Sequence, residues 1–175
     1  MQLTITTDKG VNMNTQTIKI KLCTNDGSVI TDENVLNKLI PSKGTDGAAG
    51  YDVRAMITNE NGSLLIEPGE TIAVPTGIYM SMPRGMACLV LPRSGLSYST
   101  MLRVSNSPGL IDSDYRGEVK ILLTNTSPNM RYTIENGERI AQFMFINHCD
   151  ISYEVVADLD ATKRGDGGFG STGVN

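Results

Sequence analysis

Histidine is almost missing from this chain, which has one histidine, His148, among 175 residues. A Ser-His-Asp triad could use only that residue, and a zinc site would have to bring it together with scattered cysteines. We therefore expect His148 to be a structural residue at the end of a strand. The chemistry of the protein must then depend on carboxylates, arginines, hydroxyls or a metal carried by the substrate.

Cysteine is also scarce. The chain has three cysteines, an odd number, at positions Cys23, Cys88 and Cys149. They are far apart in sequence, and no CxxC pair is present. This usage favours buried, reduced thiols in a reducing compartment over a disulfide framework.

Long apolar runs and excess positive charge are missing as well. No apolar run is long enough to cross a bilayer, and the first residues, MQLTITTDKG, lack the apolar core of a signal peptide. A net charge of -4 and a pI near 5.0 provide no field that would hold a nucleic-acid backbone. We expect a cytoplasmic protein, in the host cytoplasm if its source is viral, that binds neither membranes nor polymeric nucleic acid.

The chain does contain many short segments with strand character. Polar and apolar residues alternate in TIKIKL (17–22) and GIYMSM (77–82), which predicts half-buried strands. Short apolar runs rich in strand formers are ACLVL (87–91), VKILL (119–123) and IAQFMFI (140–146). Turn signals separate these segments at spacings near ten residues, which predicts an all-β sandwich or barrel.

Two short segments favour helix instead. TDENVLNKLI (31–40) carries Thr31 as a possible N-cap, and GLSYSTML (95–102) could form two helical turns. The predicted organisation is a weakly ordered leader (1–16), a β core (17–157) and a C-terminal arm (158–175).

The segment LPRSGLS (91–97) has the composition of an anion-binding turn. Gly95 permits a tight turn that exposes backbone N–H groups, while Arg93 and Ser94 add a forked cation and a hydroxyl. The alternative is an ordinary turn whose arginine faces solvent.

The segment NSPGLIDSDYRG (106–117) could form a pyrimidine pocket. Asn106 can both donate and accept hydrogen bonds, as reading a base edge requires. Asp112 follows two apolar residues and could act as a general base toward water, with Tyr115 beside the same cavity. The alternative is that Asp112 and Asp114 are ordinary turn carboxylates.

Two further polar residues lie within strand-like segments. Gln142 stands in an apolar run and needs a hydrogen-bond partner, most often a neighbouring backbone group. Asp52, in AAGYDVRA (48–55), fits a surface salt bridge as well as it fits a metal-bound water.

The glycine-rich segment RGDGGFGSTG (164–173) spaces functional groups along a flexible backbone. Arg164 offers a cation, Phe169 a stacking face, and Ser171 and Thr172 two hydroxyls. A ligand with one flat end and one strongly anionic end fits this set, and a nucleoside triphosphate is such a ligand.

In order, AAGYDVRA, PRSGLS, GLIDSDYRG, GERIAQFMF and RGDGGFGSTG resemble the five motifs of the trimeric dUTPase family. The resemblance runs from about residue 43 to the C-terminus. It implies a jelly-roll-like β-barrel (β-clip) with one or two short helices and a flexible C-terminal arm. It also implies a homotrimer with shared active sites, in which the arm of one subunit closes the site of another. The implied reaction is hydrolysis of dUTP to dUMP and pyrophosphate, with Mg²⁺ bound mainly through the substrate triphosphate.

The resemblance also implies a role for each matched residue. Asp112 matches the catalytic aspartate that orients and deprotonates the water attacking the α-phosphorus, and Gln142 matches the glutamine that helps to hold this water. Tyr115 matches the aromatic residue that lies under the deoxyribose and excludes a 2′-hydroxyl. Asp52 resembles the acid that meets Mg²⁺ only through water. The substrate-binding positions are matched by Arg93, Ser94, Gly95, Asn106, Gly109, Leu110, Ile111, Tyr115, Lys120, Arg164, Phe169, Gly170, Ser171 and Thr172.

Two departures from the family pattern and two rival functions remain. Residues 29–37 lengthen the loop before the first motif, and Ser97 stands where many relatives have alanine. A dCTP deaminase, with or without diphosphatase activity, is the nearest rival, but Tyr115 and the full glycine-rich arm argue against it. A dUTP-binding protein without turnover is the second rival.

Overall fold

The structure, a computed structural model, describes residues 15–168. This part of the chain forms eleven strands and two short helices. The strands are β1 (Lys19–Leu22), β2 (Ser42–Lys43), β3 (Tyr51–Arg54), β4 (Ser63–Ile66), β5 (Thr71–Ser81), β6 (Met86–Leu91), β7 (Leu102–Val104), β8 (Gly109–Ile111), β9 (Val119–Asn125), β10 (Tyr132–Glu135) and β11 (Arg139–Asn147). The helices are α1 (Glu33–Leu39) and α2 (Ser94–Ser99).

The strands form three antiparallel sheets. A four-stranded sheet has the order β1-β5-β9-β7, a five-stranded sheet the order β2-β3-β11-β6-β8, and β10 pairs with β4. Many neighbouring strands are far apart in sequence, so the chain crosses repeatedly between sheets. The all-β prediction is confirmed.

The side chains of β9 show why the apolar runs form strands. Val119, Ile121 and Leu123 are buried, whereas Lys120 and Leu122 on the opposite face are exposed. The run VKILL therefore has the two-residue period of a strand with one buried face. The other predicted strands lie largely or wholly within β1, β5, β6 and β11.

One hydrophobic core joins the two larger sheets. Ile78 and Ile121 come from the four-stranded sheet, Val53 and Phe143 from the five-stranded sheet, and all four are fully buried. The sheets therefore stabilise each other through their apolar faces.

Both predicted helices are present, but the first has a different N-cap. The Asp32 carboxylate accepts a hydrogen bond from the Asn34 N–H at 2.8 Å, so Asp32 and not Thr31 is the N-cap of α1. Aspartate is among the strongest N-cap residues, and its charge also suits the positive end of the helix. The prediction of Thr31 is wrong by one residue, because the backbone geometry places Asp32 at the cap position.

The cysteines divide by burial. Cys23 and Cys88 are buried, as predicted, and burial raises the pKa of the Cys88 thiol to about 12, which leaves it protonated and unreactive. Cys149 is exposed, so the prediction of a buried thiol is wrong there, because this residue lies beyond the end of β11.

His148 directly follows β11, and its backbone N–H donates to the Gly85 carbonyl at 2.8 Å. None of the helices in residues 15–168 is long and apolar enough to span a membrane.

Candidate active site

A cleft of about 620 Å³ opens beside β8 and the start of β9. Its lining residues are Tyr79, Asn106, Leu110, Ile111, Asp112, Tyr115, Glu118, Val119, Lys120 and Leu122. Six of the predicted site residues are therefore brought together here: Asn106, Leu110, Ile111, Asp112, Tyr115 and Lys120.

Asn106, which lines the cleft, lies directly against Gly109. This glycine pairs with Val90 across β8 and β6, and a Cβ added to it would lie 3.2 Å from both the Asn106 Nδ2 atom and the Val90 Cβ atom. The missing side chain lets the Asn106 amide lie directly against the β8 backbone. An amide beside strand backbone offers donors and acceptors close together, as the edge of a pyrimidine requires.

Asp112 is the first residue after β8, and its side chain is exposed at the cleft. Its backbone carbonyl accepts a hydrogen bond from the Tyr115 N–H at 3.2 Å, which closes a turn and fixes the direction of the chain. Within residues 15–168, no hydrogen bond or ion pair holds the Asp112 carboxylate. Both carboxylate oxygens can therefore accept a proton from water.

Tyr115 and Lys120 form one wall of the cleft. The Tyr115 hydroxyl donates to the backbone carbonyl of Glu118 at 3.0 Å, and the tyrosine side chain is 44% exposed. With the hydroxyl engaged in this bond, the ring face is what Tyr115 offers to a ligand. The Lys120 ammonium lies 3.6 Å from the Glu118 carboxylate and supplies a cation on the same wall.

A second group of polar residues surrounds Asp52 on β3. Its carboxylate accepts hydrogen bonds from Arg93 Nε at 2.7 Å and from Arg139 Nη1 at 3.0 Å, and its side chain is 17% exposed. Arg93 also donates to the Arg139 carbonyl at 3.2 Å. Two guanidinium groups thus neutralise one carboxylate. Of the two interpretations of Asp52 from the sequence, a salt bridge or a metal-bound water, this structure shows the salt bridge.

The described residues do not build a metal site of their own. Residues 15–168 contain no group of three or more His, Cys, Asp or Glu side chains that could hold a metal ion. The Asp52 carboxylate is already paired with two cations. A metal ion in this site would therefore need ligands from outside the described residues, such as a bound substrate.

Gln142 lies on β11, opposite Asp52 on one side and Leu91 on the other. Its Nε2 atom donates to the Pro92 carbonyl at 2.9 Å, which is the backbone partner that a polar side chain in an apolar strand needs. A Cβ at Gly50 would overlap the Gln142 Oε1 atom. The glycine therefore leaves the space in which the glutamine amide is oriented.

Replacing Gly50 with alanine is expected to lower turnover by about 10- to 100-fold with little change in melting temperature. The added methyl would displace the flexible end of Gln142 and leave the backbone in place. Steady-state kinetics and thermal unfolding of Gly50→Ala would measure both effects. Gly47→Ala is the matched control, because a Cβ at Gly47 has no atom within 4 Å. Equal activity of the two variants would contradict the role given to this contact.

The phosphate-binding turn predicted from Arg93, Ser94 and Gly95 lies where β6 passes into α2. Ser94 and Gly95 form the first turn of α2, where backbone N–H groups have no helical carbonyl to receive them. The Arg93 side chain does not cap the helix and is directed to Asp52 instead. This turn can present N–H donors and a hydroxyl to an anion.

Arg164, the predicted arm residue that the structure describes, does not contact either group. Arg164 donates from Nε to the Gly167 carbonyl at 2.8 Å, within its own exposed turn. Phe169, Gly170, Ser171 and Thr172 lie outside the described residues.

The two polar groups are far apart within one chain. The β6–β8 register places Ile111 opposite Cys88, so Asp112 lies near the level of Ala87, whereas Gln142 lies opposite Leu91. At about 3.3 Å per residue, the four residues between these levels span roughly 13 Å along the sheet. β8 and β11 also lie on opposite sides of β6, which separates them by about 10 Å across the sheet. The two residues of one chain are therefore too far apart for their side chains to hold the same water molecule.

The sequence model of the dUTPase family matches residues 37–173, most of the chain. The chain belongs to the dUTPase family. The five quoted motifs all lie within the matched residues. Asp112 and Tyr115 of the third motif meet Asn106 in the cleft. Asp52, Arg93 and Gln142 of the other motifs form the second group.

Curated relatives within the dUTPase family are similar over most of their length. The chain is 43% identical over 148 residues to the deoxyuridine 5'-triphosphate nucleotidohydrolase of Hahella chejuensis, covering 83% of this chain and 94% of that protein. It is 46% identical over 135 residues to the enzyme of the same name from Mesorhizobium japonicum, covering 77% and 83%.

Solved dUTPase structures share the fold. The Staphylococcus bacteriophage 80alpha dUTPase with dUPNHPP superposes with a TM-score of 0.75 at 27% identity, covering 91% of this chain and all of that one. A mutant dUTPase from phage phi11 of S. aureus, with a TM-score of 0.67 at 20% identity, covers 83% of this chain and all of that one. The latter structure concerns the coordination of a structural Mg(II) ion in the phage protein.

Three residues near the two groups were missed by the sequence reasoning. Tyr79 and Glu118 line the cleft, and Arg139 binds Asp52. Tyr79 comes from β5 and reaches the cleft only through strand pairing, so no local signal marks it. Arg139 stands in the same motif as Gln142, and the irregular pairing between Arg139 and Ala141 changes the regular alternation along the strand.

Proposed function

We propose that this protein hydrolyses dUTP to dUMP and pyrophosphate by attack of water on the α-phosphorus. Such a reaction limits uracil incorporation into DNA and supplies dUMP for dTMP synthesis. The observation that carries the proposal is the unpaired Asp112 carboxylate in one cleft with Asn106 and Tyr115. The names and high coverage of the curated relatives support the same activity.

In the proposed complex, uracil lies against Asn106 and the backbone of residues 109–111. A methyl group at C5 would collide with this backbone, and an amino group at C4 would leave polar groups unpaired. Buried polar mismatches of this kind discriminate by several orders of magnitude. The Tyr115 ring face lies under the deoxyribose and leaves no space for a 2′-hydroxyl.

Asp112 takes the proton of the attacking water. The Asp112 carboxylate needs no histidine partner, because the water is the nucleophile and the leaving group is a pyrophosphate. Gln142 orients this water, and Arg93, Ser94, Gly95 and Lys120 bind the phosphates. Positioned donors that compensate developing charge supply most of the expected acceleration.

Mg²⁺ is proposed to enter with the triphosphate. When bound, the ion neutralises phosphate charge and fixes the conformation of the phosphate chain. Asp52 is proposed to meet it only through water, while Arg93 and Arg139 keep the carboxylate in place.

The active sites are proposed to be shared between subunits of a homotrimer. Gln142 and Asp112 of one chain lie too far apart to hold the same water, so a Gln142 from a second chain would meet the Asp112 of the first. The predicted arm (158–175), with Arg164, Phe169, Gly170, Ser171 and Thr172, is proposed to close a site on another subunit.

An exposed apolar segment supports the assembly. After β11, the side chains of Ile151, Tyr153 and Val155 are 65%, 92% and 98% exposed. They stand at alternate positions, so an extended backbone here would place them on one face. A groove of about 560 Å³ between β1 and β11, which Ile18, Ile20 and Phe145 help to line, offers a matching apolar surface on a second copy of the chain. Burial of these side chains would stabilise the oligomer.

Pyrophosphate release from four nucleotides tests the proposed function. With Mg²⁺, the purified protein is expected to hydrolyse dUTP and to leave dTTP, dCTP and UTP almost unchanged. Equal turnover of all four would contradict the pocket as described. Ammonia release from dCTP would favour the deaminase instead, and tight dUTP binding without products would favour a binding protein.

A further inference from the structure

Glu118, which lines the cleft, makes a contact through each of its three oxygen atoms. Its Oε1 atom accepts a hydrogen bond from the Gly77 N–H at 2.9 Å, and its Oε2 atom lies 3.6 Å from Lys120 Nζ. Its backbone carbonyl accepts the hydrogen bond from the Tyr115 hydroxyl at 3.0 Å. The side chain is 17% exposed, so its bond to the Gly77 N–H is largely shielded from water.

The Gly77 N–H belongs to an irregular position in β5. The β5–β9 register shifts between Pro75 and Ile78, and Gly77 has a φ of 67°. A Cβ at this glycine would overlap the Cys23 carbonyl oxygen. The bulge takes the Gly77 N–H out of the regular ladder with β9, and the Glu118 carboxylate supplies the acceptor.

The bulge is hydrogen-bonded to two adjacent residues, Glu118 and Val119, where β9 begins. The Thr76 hydroxyl donates to the Val119 carbonyl, next to the bond between Gly77 and Glu118. Thr76 is fully buried. The backbone of residues 118–119 is therefore anchored to β5, a strand that lies in the interior of the four-stranded sheet.

This anchored backbone sets the position of the Tyr115 ring. A Cβ at Gly117 would overlap the Tyr115 hydroxyl, so the end of the ring lies directly against the chain at residue 117. The hydroxyl is bound one residue further on, at Glu118. A shift of the backbone at residues 117–118 would therefore move the ring face that borders the cleft.

We propose that Glu118 is a positioning residue for sugar selectivity: its bond to the β5 bulge holds the Tyr115 ring at the height that excludes a 2′-hydroxyl. The inference rests on the proposed function, because Tyr115 is proposed there to lie under the deoxyribose. For this role the Glu118 side chain must be long enough to accept the hydrogen bond from the Gly77 N–H. Its negative charge mainly stabilises the ion pair with Lys120.

Three substitutions of Glu118 distinguish the effect of side-chain length from the effect of charge. Glu118→Gln keeps an oxygen at the same distance from Gly77 and loses the charge. Glu118→Asp keeps the charge but is one methylene too short to reach Gly77. Glu118→Ala removes both. The readout is the ratio of dissociation constants for the α,β-imido analogues of UTP and dUTP, measured by calorimetry, since binding does not depend on turnover.

We expect Glu118→Gln to retain the wild-type ratio, while Glu118→Asp and Glu118→Ala lower it by about tenfold or more through tighter binding of the UTP analogue. Tyr115→Phe should lower the ratio by itself, because it removes the bond to the Glu118 carbonyl. Adding Glu118→Ala to Tyr115→Phe should lower it no further. Thermal unfolding identifies variants that fail to fold. If Glu118→Ala fails to fold, the comparison of Glu118→Gln with Glu118→Asp still decides the question.

Two results among the variants would overturn the inference. One is a wild-type ratio in Glu118→Asp, and the other is an additive loss in the double variant. A wild-type protein that binds both analogues equally would also refute it. A wild-type protein that prefers the dUTP analogue but releases no pyrophosphate from dUTP would refute the proposed activity and leave the positioning of Tyr115 standing.

Discussion

Replacing Asp112 with asparagine is expected to lower dUTP turnover by about 10²- to 10⁴-fold, the usual contribution of a general base. The amide has nearly the same shape as the carboxylate but cannot accept the proton of the attacking water. Because no other described group holds the Asp112 side chain, the substitution should leave the pocket unchanged. Nucleotide affinity is therefore expected to stay within a few-fold of the original.

Asp114→Asn is the matched control for this experiment. Asp114 is exposed in the same turn and is not among the residues that line the cleft. Single-turnover kinetics and calorimetry with the dUTP analogue would measure catalysis and affinity separately. Near-normal turnover in Asp112→Asn, or an equal loss in Asp114→Asn, would remove Asp112 from the role of base.

Deleting residues 164–175 is expected to lower turnover by roughly 10²-fold or more while the protein remains folded and trimeric. The deletion removes the cation of Arg164, the ring of Phe169 and the hydroxyls of Ser171 and Thr172. Without these groups the bound triphosphate would be less well positioned and more exposed to water. None of the eleven strands includes a deleted residue, so the core should be unaffected.

The control for the deletion is a shorter one, of Val174 and Asn175 only, which keeps the complete glycine-rich motif. Steady-state kinetics would give the turnover of both proteins, and light scattering would give their mass in solution. Full activity after removal of residues 164–175 would show that the segment does not take part in catalysis. Loss of the trimer would assign it to assembly instead.

The sequence predicted the strands well because their burial has a clear period. In β9 the buried and exposed side chains alternate along the run with the two-residue period of a strand. The choice between Thr31 and Asp32 as N-cap could not be made in this way. Both residue types cap helices, and only the backbone conformation shows which carboxylate or hydroxyl reaches the free N–H groups.

The site was predictable as a set of motifs but not as a geometry. Asp52 and Arg93 are 41 residues apart in sequence, and their ion pair arises only because β3 and β6 both flank β11. The contact of Gly50 with Gln142 has the same origin in strand pairing. A motif identifies residue types, whereas the separation of Gln142 from Asp112 depends on register.

The domain boundaries stay predictions. The last strand, β11, ends at Asn147, ten residues before the predicted end of the core at residue 157. The intervening apolar side chains, such as Tyr153 and Val155, are exposed in a single chain. Their assignment to the core or to an arm depends on whether the proposed trimer buries them.

Hydrolysis of dUTP in water enriched in oxygen-18 tests the central claim most directly, because it shows which phosphorus the water attacks. Mass spectrometry of the products is expected to find the heavy oxygen in dUMP and ordinary oxygen in pyrophosphate. Label in pyrophosphate, or release of orthophosphate with dUDP, would contradict an attack at the α-phosphorus directed by Asp112.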